Sequence, residues 1–328
     1  MRALVTGGAG FIGSNLVKKL VNDGWNVDVV DDLSSGRLDL LQDVKHITLT
    51  QSISSRIHKF TSSDDKMVTV FVTSFDDKRI LQRIKMKMYD VVYHVAAIPR
   101  VSYSVENPAE TNEINVAATV RLFEACAGSV KRVVFSSSSS VYGGSDIIPT
   151  PEWAPLNPKS PYALQKRVGE DYARMFGEFY DLDIVSLRYF NVFGPGQYAG
   201  TAYSTAVAAW CHAVKNNLPL RSDGDGSQSR DMCYVDNVVH ANILAATSKS
   251  RFMGKAYNIA CGDNVSNKEI LDHLRTRYTN IVVNDAPWRP GDVMKTQANI
   301  NLAREELGYE PLVRFWDGLE LTKKWWGI

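Results

Sequence analysis

The sequence predicts an α/β protein: a doubly wound parallel sheet with a smaller C-terminal substrate-binding lobe. Three observations carry this expectation. A glycine-rich turn stands between a first apolar strand and a helix. Apolar runs alternate with helical stretches through the first half of the 328 residues, and the second half is richer in Pro and Gly loops.

Residues 2–6 read as a short buried strand. Gly7-Gly8-Ala9-Gly10-Phe11-Ile12-Gly13 follows at once, ahead of an amphipathic stretch from Ser14 to about Asn22. Strand, glycine turn and helix in that order are what a dinucleotide fingerprint requires. Gly7 suits the tight turn, Gly10 the close approach of backbone to pyrophosphate, and Gly13 the packing of helix on strand. Phe11 and Ile12 then sit at the helix N-terminus, where the phosphates would lie. A second strand, 26–30, runs into Asp31 and Asp32. Asp31 falls 18 residues past Gly13, about where a carboxylate grips the adenosine ribose diol. That carboxylate would repel a 2′-phosphate, and Arg37 is the one compensating cation nearby, so NAD is expected rather than NADP.

Further strands are expected over 68–72, 89–95, 131–136 and 183–188. The polar, Ser-rich piece from 48 to 66 reads as a surface insertion. Residues 1–190 are expected to form the dinucleotide domain and 191–328 mainly the substrate lobe, with a segment of about 232–260 returning to the first domain. Loops at 191–203, 223–229 and 287–292 belong where substrate is gripped in a parallel α/β sheet. Helical stretches near 204–217, 236–248 and 266–277 separate them.

A second signature is Ser160-Pro161-Tyr162-Ala163-Leu164-Gln165-Lys166, with the serine run Ser136 to Ser140 upstream. Positions i and i+4 share a helix face, so the phenol and the ammonium can address one ligand together. A free phenol is only about one part in a thousand ionised at neutral pH. Lowering its pKa by roughly 3 units takes about 4 kcal/mol, which a fixed lysine cation could largely supply. The trio amounts to a base, its activating cation and a hydroxyl relay.

Net charge is +1 with both signs mixed, so no nucleic-acid or anionic-membrane partner is expected. No apolar run approaches a membrane span. Because strand begins at residue 2, no leader is expected. Cys126, Cys211, Cys233 and Cys261 form no C-x-x-C and read as reduced cytoplasmic thiols, and the six histidines show no ligand spacing, so no metal is expected.

With these residues in place, the chain resembles the extended short-chain dehydrogenases/reductases, and within them the nucleotide-sugar 4-epimerases. The likeness runs nearly end to end. It rests on Thr6 to Gly13, His94-Val95-Ala96-Ala97, Ser136 to Gly143, Tyr162 with Lys166, Arg188 to Pro195, Gly224 to Asp231, and Arg289-Pro290-Gly291-Asp292. The resemblance implies a Rossmann domain holding NAD, with Ala96 and Tyr189 among its contacts, and a UDP-sugar substrate. It implies that Tyr162 takes the proton from the sugar 4-hydroxyl while C4 gives its hydride to NAD. Lys166 would lower the tyrosine pKa and hold the nicotinamide ribose. Ser138, 24 residues before Tyr162, would orient the 4-oxygen, with Ser137 and Ser139 as rivals.

For the diphosphate the resemblance points to Arg230 and Arg289, whose forked donors suit phosphate, with Asn191 donating to a phosphate oxygen and Asp292 accepting from the uridine ribose. Tyr189 and Phe190 would wall the nicotinamide. Thr296 falls where the family sets the width of the sugar pocket, and a small residue there leaves room for an acetamido group. UDP-N-acetylhexosamines or their uronic acids are therefore the expected substrates. The resemblance further implies a homodimer, paired through the helices near 104–127 and 160–177.

The family's Gly-Asp-Ile after the third strand is missing. Its best match is Thr73-Ser74-Phe75, or Gln51-Ser52-Ile53 if the insertion lies later, and neither offers adenine a carboxylate. Three rivals remain. A 4,6-dehydratase would need an acid after the active-site hydroxyl, and Ser139-Ser140 supply none. A UDP-glucuronate decarboxylase lacks an obvious glutamate in 99–103, although Arg100 could meet a carboxylate. A catalytically silent NAD-binding sensor or scaffold would have no reason to keep both Tyr162 and Lys166.

Overall fold

The computed structural model describes residues 1–42, 47–54, 56–62, 67–197, 199, 205–278, 281–288 and 293–328. Strands β1 (Arg2–Thr6), β2 (Asn26–Asp31), β3 (Ile47–Ser54), β4 (Ile57–Ser62), β5 (Met67–Val72), β6 (Val91–His94), β7 (Arg132–Ser138) and β8 (Ile184–Tyr189) join the Ala256–Ile259 strand in one nine-stranded sheet. Its order is Ala256–Ile259, β8, β7, β6, β1, β2, β5, β4, β3. The pairs β1/β2, β1/β6, β2/β5 and β6/β7 are parallel. Ala3, Leu4, Val5, Val27, Val29, Val30, Val92, Val133 and Val134 are fully buried, as strands covered on both faces require.

Within the 48–66 segment, read from sequence as a surface insertion, the described residues form an antiparallel hairpin: β3 pairs with β4, and β4 with β5, extending the sheet at its edge. The sequence hid it because an edge hairpin needs few apolar side chains. In β4, Phe60 alone among the residues whose side chains are described is buried, while β-branched Ile57 and Thr61 suit the pleat.

Helices α1 (Phe11–Asn22) and α2 (Lys78–Lys85) follow β1 and β5. After β6 the chain runs through α3 (Val101–Glu106), α4 (Pro108–Asn112), a π-helical turn (Glu113–Ala118) and α5 (Thr119–Cys126). Helix α6 (Pro161–Tyr180) starts on a Ser160 cap that accepts the Ala163 N–H, with Pro161 in the first turn where its missing N–H costs nothing.

The chain divides into two compact units. The first comprises 1–138, 160–188 and 239–257; the second comprises 139–159, 189–238 and 258–328. This differs from a boundary at 190, because 139–159 group with the second unit. The physical reason is long-range pairing: Thr150 bridges Ala298, the Asn258 amide donates to the Thr150 carbonyl at 2.9 Å, and Tyr142 donates its hydroxyl to Asn258 at 2.7 Å. The second unit is a set of short strand pairs, Val192–Phe193 with Cys233–Tyr234, Leu220–Asp223 with Val283–Ala286, and Ser229–Arg230 with Val265–Ser266. Asp231 knots it: its buried carboxylate accepts the N–H groups of Cys261, Gly262 and Ala298 at 2.9–3.0 Å. Cys261 and Asp263 lie near enough to Asp231 to suggest metal ligation, but those three bonds give the carboxylate a structural role. Among the described residues no helix is long and apolar enough to cross a membrane.

Candidate active site

The dinucleotide turn is built by close backbone approaches. Gly7 has φ +69, and a Cβ there would stand 2.8 Å from the Ala96 backbone. A Cβ on Gly13 would stand 2.1 Å from the Gly7 carbonyl oxygen, which forces glycine where α1 leaves the strand. Gly10 caps α1 with no side-chain acceptor and no acid in the first turn, so the positive helix end is open to an anion. Phe11 and Ile12, half-buried, are its first residues.

Asp31 ends β2 with its side chain 8% exposed, accepting the Ala9 and Leu33 N–H groups at 2.9 Å each. Burial raises its pKa, partly opposed by those backbone donors. Asp32 is exposed and accepts the N–H and hydroxyl of Ser34. Arg37 is paired to Asp39. A glycine cradle, a bare helix N-terminus and a carboxylate at the end of β2 fit NAD. Asp31→Asn is expected to weaken NAD binding about tenfold or more, measured by calorimetry, because it removes a charged acceptor while keeping the side chain's volume.

The third-strand question is answered by topology. Strand β5 is β2's neighbour, and the Thr73 N–H donates to the Asp31 carbonyl, so 73–75 is the matching segment, while 51–53 lies on β3. The Ser74 hydroxyl donates to Asp76, which also holds Arg121 at 2.7 Å.

Ala96 follows β6, and its N–H donates to Thr6 Oγ1 at 3.2 Å. The same Thr6 oxygen meets His94 Nδ1, and His94 Nε2 meets Thr119, while burial holds the imidazole neutral with its pKa lowered to about 3. Sequence reasoning missed Asn115. It lies in the π-helical turn and grips both the N–H and the carbonyl of Ile98, at 2.8 and 3.1 Å, fixing the 96–98 segment. Its amide also donates to buried Gln165. An amide inside Ile114-Asn115-Val116-Ala117-Ala118 was the available signal, since a buried polar group needs partners. Arg100, exposed, is the residue that precedes α3.

Helix α6 brings Tyr162 and Lys166 together as the spacing requires. Ser138, at the end of β7, is hydrogen-bonded to the Tyr162 phenol. Ser137 faces away from it and donates to buried Glu170, and Ser139 opens the next turn. Of the serine run, Ser138 is therefore the one at the phenol.

Lys166 is 4% exposed, donates to the Ser136 carbonyl at 2.7 Å, and lies 5.0 Å from the Phe135 ring centre and 5.9 Å from that of Tyr162. Burial lowers its pKa to about 8, with Glu170 opposing. Burial pushes the Tyr162 phenol up to about 12, with Ser138 pulling the other way. The lysine is anchored on the Ser136 carbonyl.

In the second unit Tyr189 and Phe190 are buried. Asn191, at φ +26, donates its amide to the Asp231 carbonyl at 3.0 Å and to Thr296 Oγ1 at 3.1 Å. Those bonds occupy the amide hydrogens expected to meet phosphate and make Asn191 a support for Thr296. Arg230 places Nη1 on the Ser229 and Met294 carbonyls. Arg289 and Asp292 lie outside the described residues.

Residues 3–260 match the model of the NAD dependent epimerase/dehydratase family, and the chain belongs to that family. It is thus an enzyme family member whose cofactor is NAD. A UDP-glucose 4-epimerase of Mycolicibacterium smegmatis is 36% identical over 332 residues, covering 98% of this chain and 97% of its own. The structure of a UDP-N-acetylglucosamine 4-epimerase from Methanobrevibacter ruminantium M1, in complex with UDP-N-acetylmuramic acid, superposes with a TM-score of 0.86 at 34% identity, covering 99% of this chain and 97% of that one. A UDP-glucuronic acid 4-epimerase from Bacillus cereus, in complex with UDP-glucuronic acid and NAD, gives 0.85 at 28%, covering 100% and 99%.

Proposed function

We propose that this protein inverts C4 of a UDP-sugar, a UDP-N-acetylhexosamine or its uronic acid, through a transient 4-keto sugar. The observation that carries the reading is the Ser138–Tyr162 hydrogen bond with Lys166 one helical turn behind. Tyr162 accepts the 4-hydroxyl proton, Ser138 orients the 4-oxygen, and Lys166 holds positive charge beside the phenol. NAD, when bound, supplies the hydride acceptor and a positive nicotinamide ring. The proton returns from Tyr162 when the keto sugar is reduced on its other face, so no net NADH forms.

Arg230, Arg289, Asp292 and Arg100 are proposed substrate contacts, and Thr296 a wall of the sugar pocket supported by Asn191. Thr296→Tyr is expected to lower kcat/KM for UDP-N-acetylglucosamine about tenfold or more while sparing UDP-glucose, because one overfilled pocket is worth a few kcal/mol. Residues Leu164, Met175 and Phe179 on α6 and Val101 and Val105 on α3 leave apolar side chains 43–66% exposed, which supports a homodimer. Light scattering is expected to give about twice the 36.6 kDa chain mass.

The test is product separation after incubation with NAD and UDP-N-acetylglucosamine, UDP-glucose or the matching uronic acids. The galacto epimer without NADH accumulation supports the reading. A pentose product with carbon dioxide, or no conversion of any UDP-sugar, overturns it.

A further inference from the structure

Glu170 continues the α6 face one turn beyond Lys166, so that Tyr162, Lys166 and Glu170 recur every fourth residue. It is 7% exposed, and three elements converge on it. Arg188 on β8 grips it with Nε at 2.9 Å from Oε1 and Nη2 at 2.7 Å from Oε2, an ion pair buried on both sides. Ser137 on β7 donates its hydroxyl to the same Oε1. The carboxylate thus binds the strand that carries Ser136, whose carbonyl holds Lys166, and Ser138, which meets the phenol.

We propose that Glu170 is a positioning residue for the proton transfer: it keeps the buried Lys166 ammonium charged and fixes the end of β7, and so acts on Tyr162 without touching substrate. This rests on the C4 epimerisation read above. Among the described residues, the charged and titratable groups around Lys166 leave Glu170 as the one anion that acts on it. Tyr162 shares its helix, and β7 offers a carbonyl and the Phe135 ring. Buried His94 on β6 is held neutral, and Arg188 on β8 is a cation turned onto Glu170. Burial disfavours the ammonium and Glu170 favours it, leaving the lysine poised near pH 8. Without the carboxylate the lysine would lose its proton at lower pH, and a phenolate beside a neutral amine in a buried site is disfavoured.

Glu170→Gln alone would leave the buried Arg188 cation without its carboxylate, which can unfold a protein. The working variant is therefore Glu170→Gln with Arg188→Met, compared with Glu170→Asp, which keeps the charge. Two readouts are taken on NAD-saturated protein. One is the pH profile of turnover. The other is Tyr162 ionisation from ultraviolet difference spectra, each against the same protein carrying Tyr162→Phe. The double variant is expected to shift the alkaline limb of the profile by about one pH unit toward acid. It is also expected to show a several-fold smaller phenolate fraction at pH 8, with KM for the sugar nucleotide within about twofold. Glu170→Asp returns both toward the wild-type position. A limb and a phenolate titration that superpose on wild type, at whatever turnover, overturn the inference and make the pair a purely structural one. A phenolate change in a protein that converts no UDP-sugar would instead sustain the role of Glu170 and defeat the functional reading.

Discussion

Tyr162→Phe is expected to lower kcat by roughly 10²–10⁴-fold with little change in melting temperature. The phenol's hydrogen bond runs to Ser138, while the residue's place in the helix is held by its N–H to Ser104 at 3.1 Å, which the substitution keeps. The same geometry sets the pH dependence. Lys166 lies near 8, below the 10.5 of a free lysine, so the ammonium is the form lost as pH rises. Turnover that needs it is full well below that value and declines through about pH 8. Tyr162, pushed to about 12 without cofactor, is expected to ionise near neutrality only when NAD is bound. A phenol that titrates identically with and without NAD would contradict the assigned division of charge.

Gly13→Ala is expected to abolish NAD binding and to cost about 3 kcal/mol of stability. The added Cβ would meet the Gly7 carbonyl oxygen at 2.1 Å, and the Gly7 carbonyl carbon and Gly8 Cα at 2.8 Å. All three are backbone atoms of the turn itself, so relief requires opening the phosphate cradle. Gly24 provides the contrast. It has φ +82 but nothing within 4 Å, so alanine there is expected to cost about 1 kcal/mol of backbone strain and to leave NAD affinity unchanged. Chemical denaturation and calorimetry on the two variants separate the effects.

Much of this was legible in the residues because its causes are local. The strand–turn–helix from Arg2 to Asn22 follows from apolar pattern and glycine spacing, and Tyr162 and Lys166 meet because four residues nearly make one helical turn. What stayed hidden depends on partners far along the chain. Consecutive strand residues face opposite ways, so a run of identical serines cannot reveal which one meets Tyr162 until the packing of α6 on β7 is known. Asn191 looked available to phosphate, but its donors go to Asp231 and Thr296, 40 and 105 residues away. Asn115 and Glu170 drew no reading from sequence, since a polar side chain buried by a distant partner carries no periodic mark. The hairpin at 47–62 escaped because its outer strand adds edge to a sheet rather than core.

The most direct measurement uses a UDP-sugar deuterated at C4, followed to equilibrium with its epimer in ordinary water. Transient oxidation at C4, with the same hydride returned to the opposite face, predicts that the epimer retains its deuterium at C4. Loss of the label to solvent, or an epimer inverted at another carbon, would contradict the account.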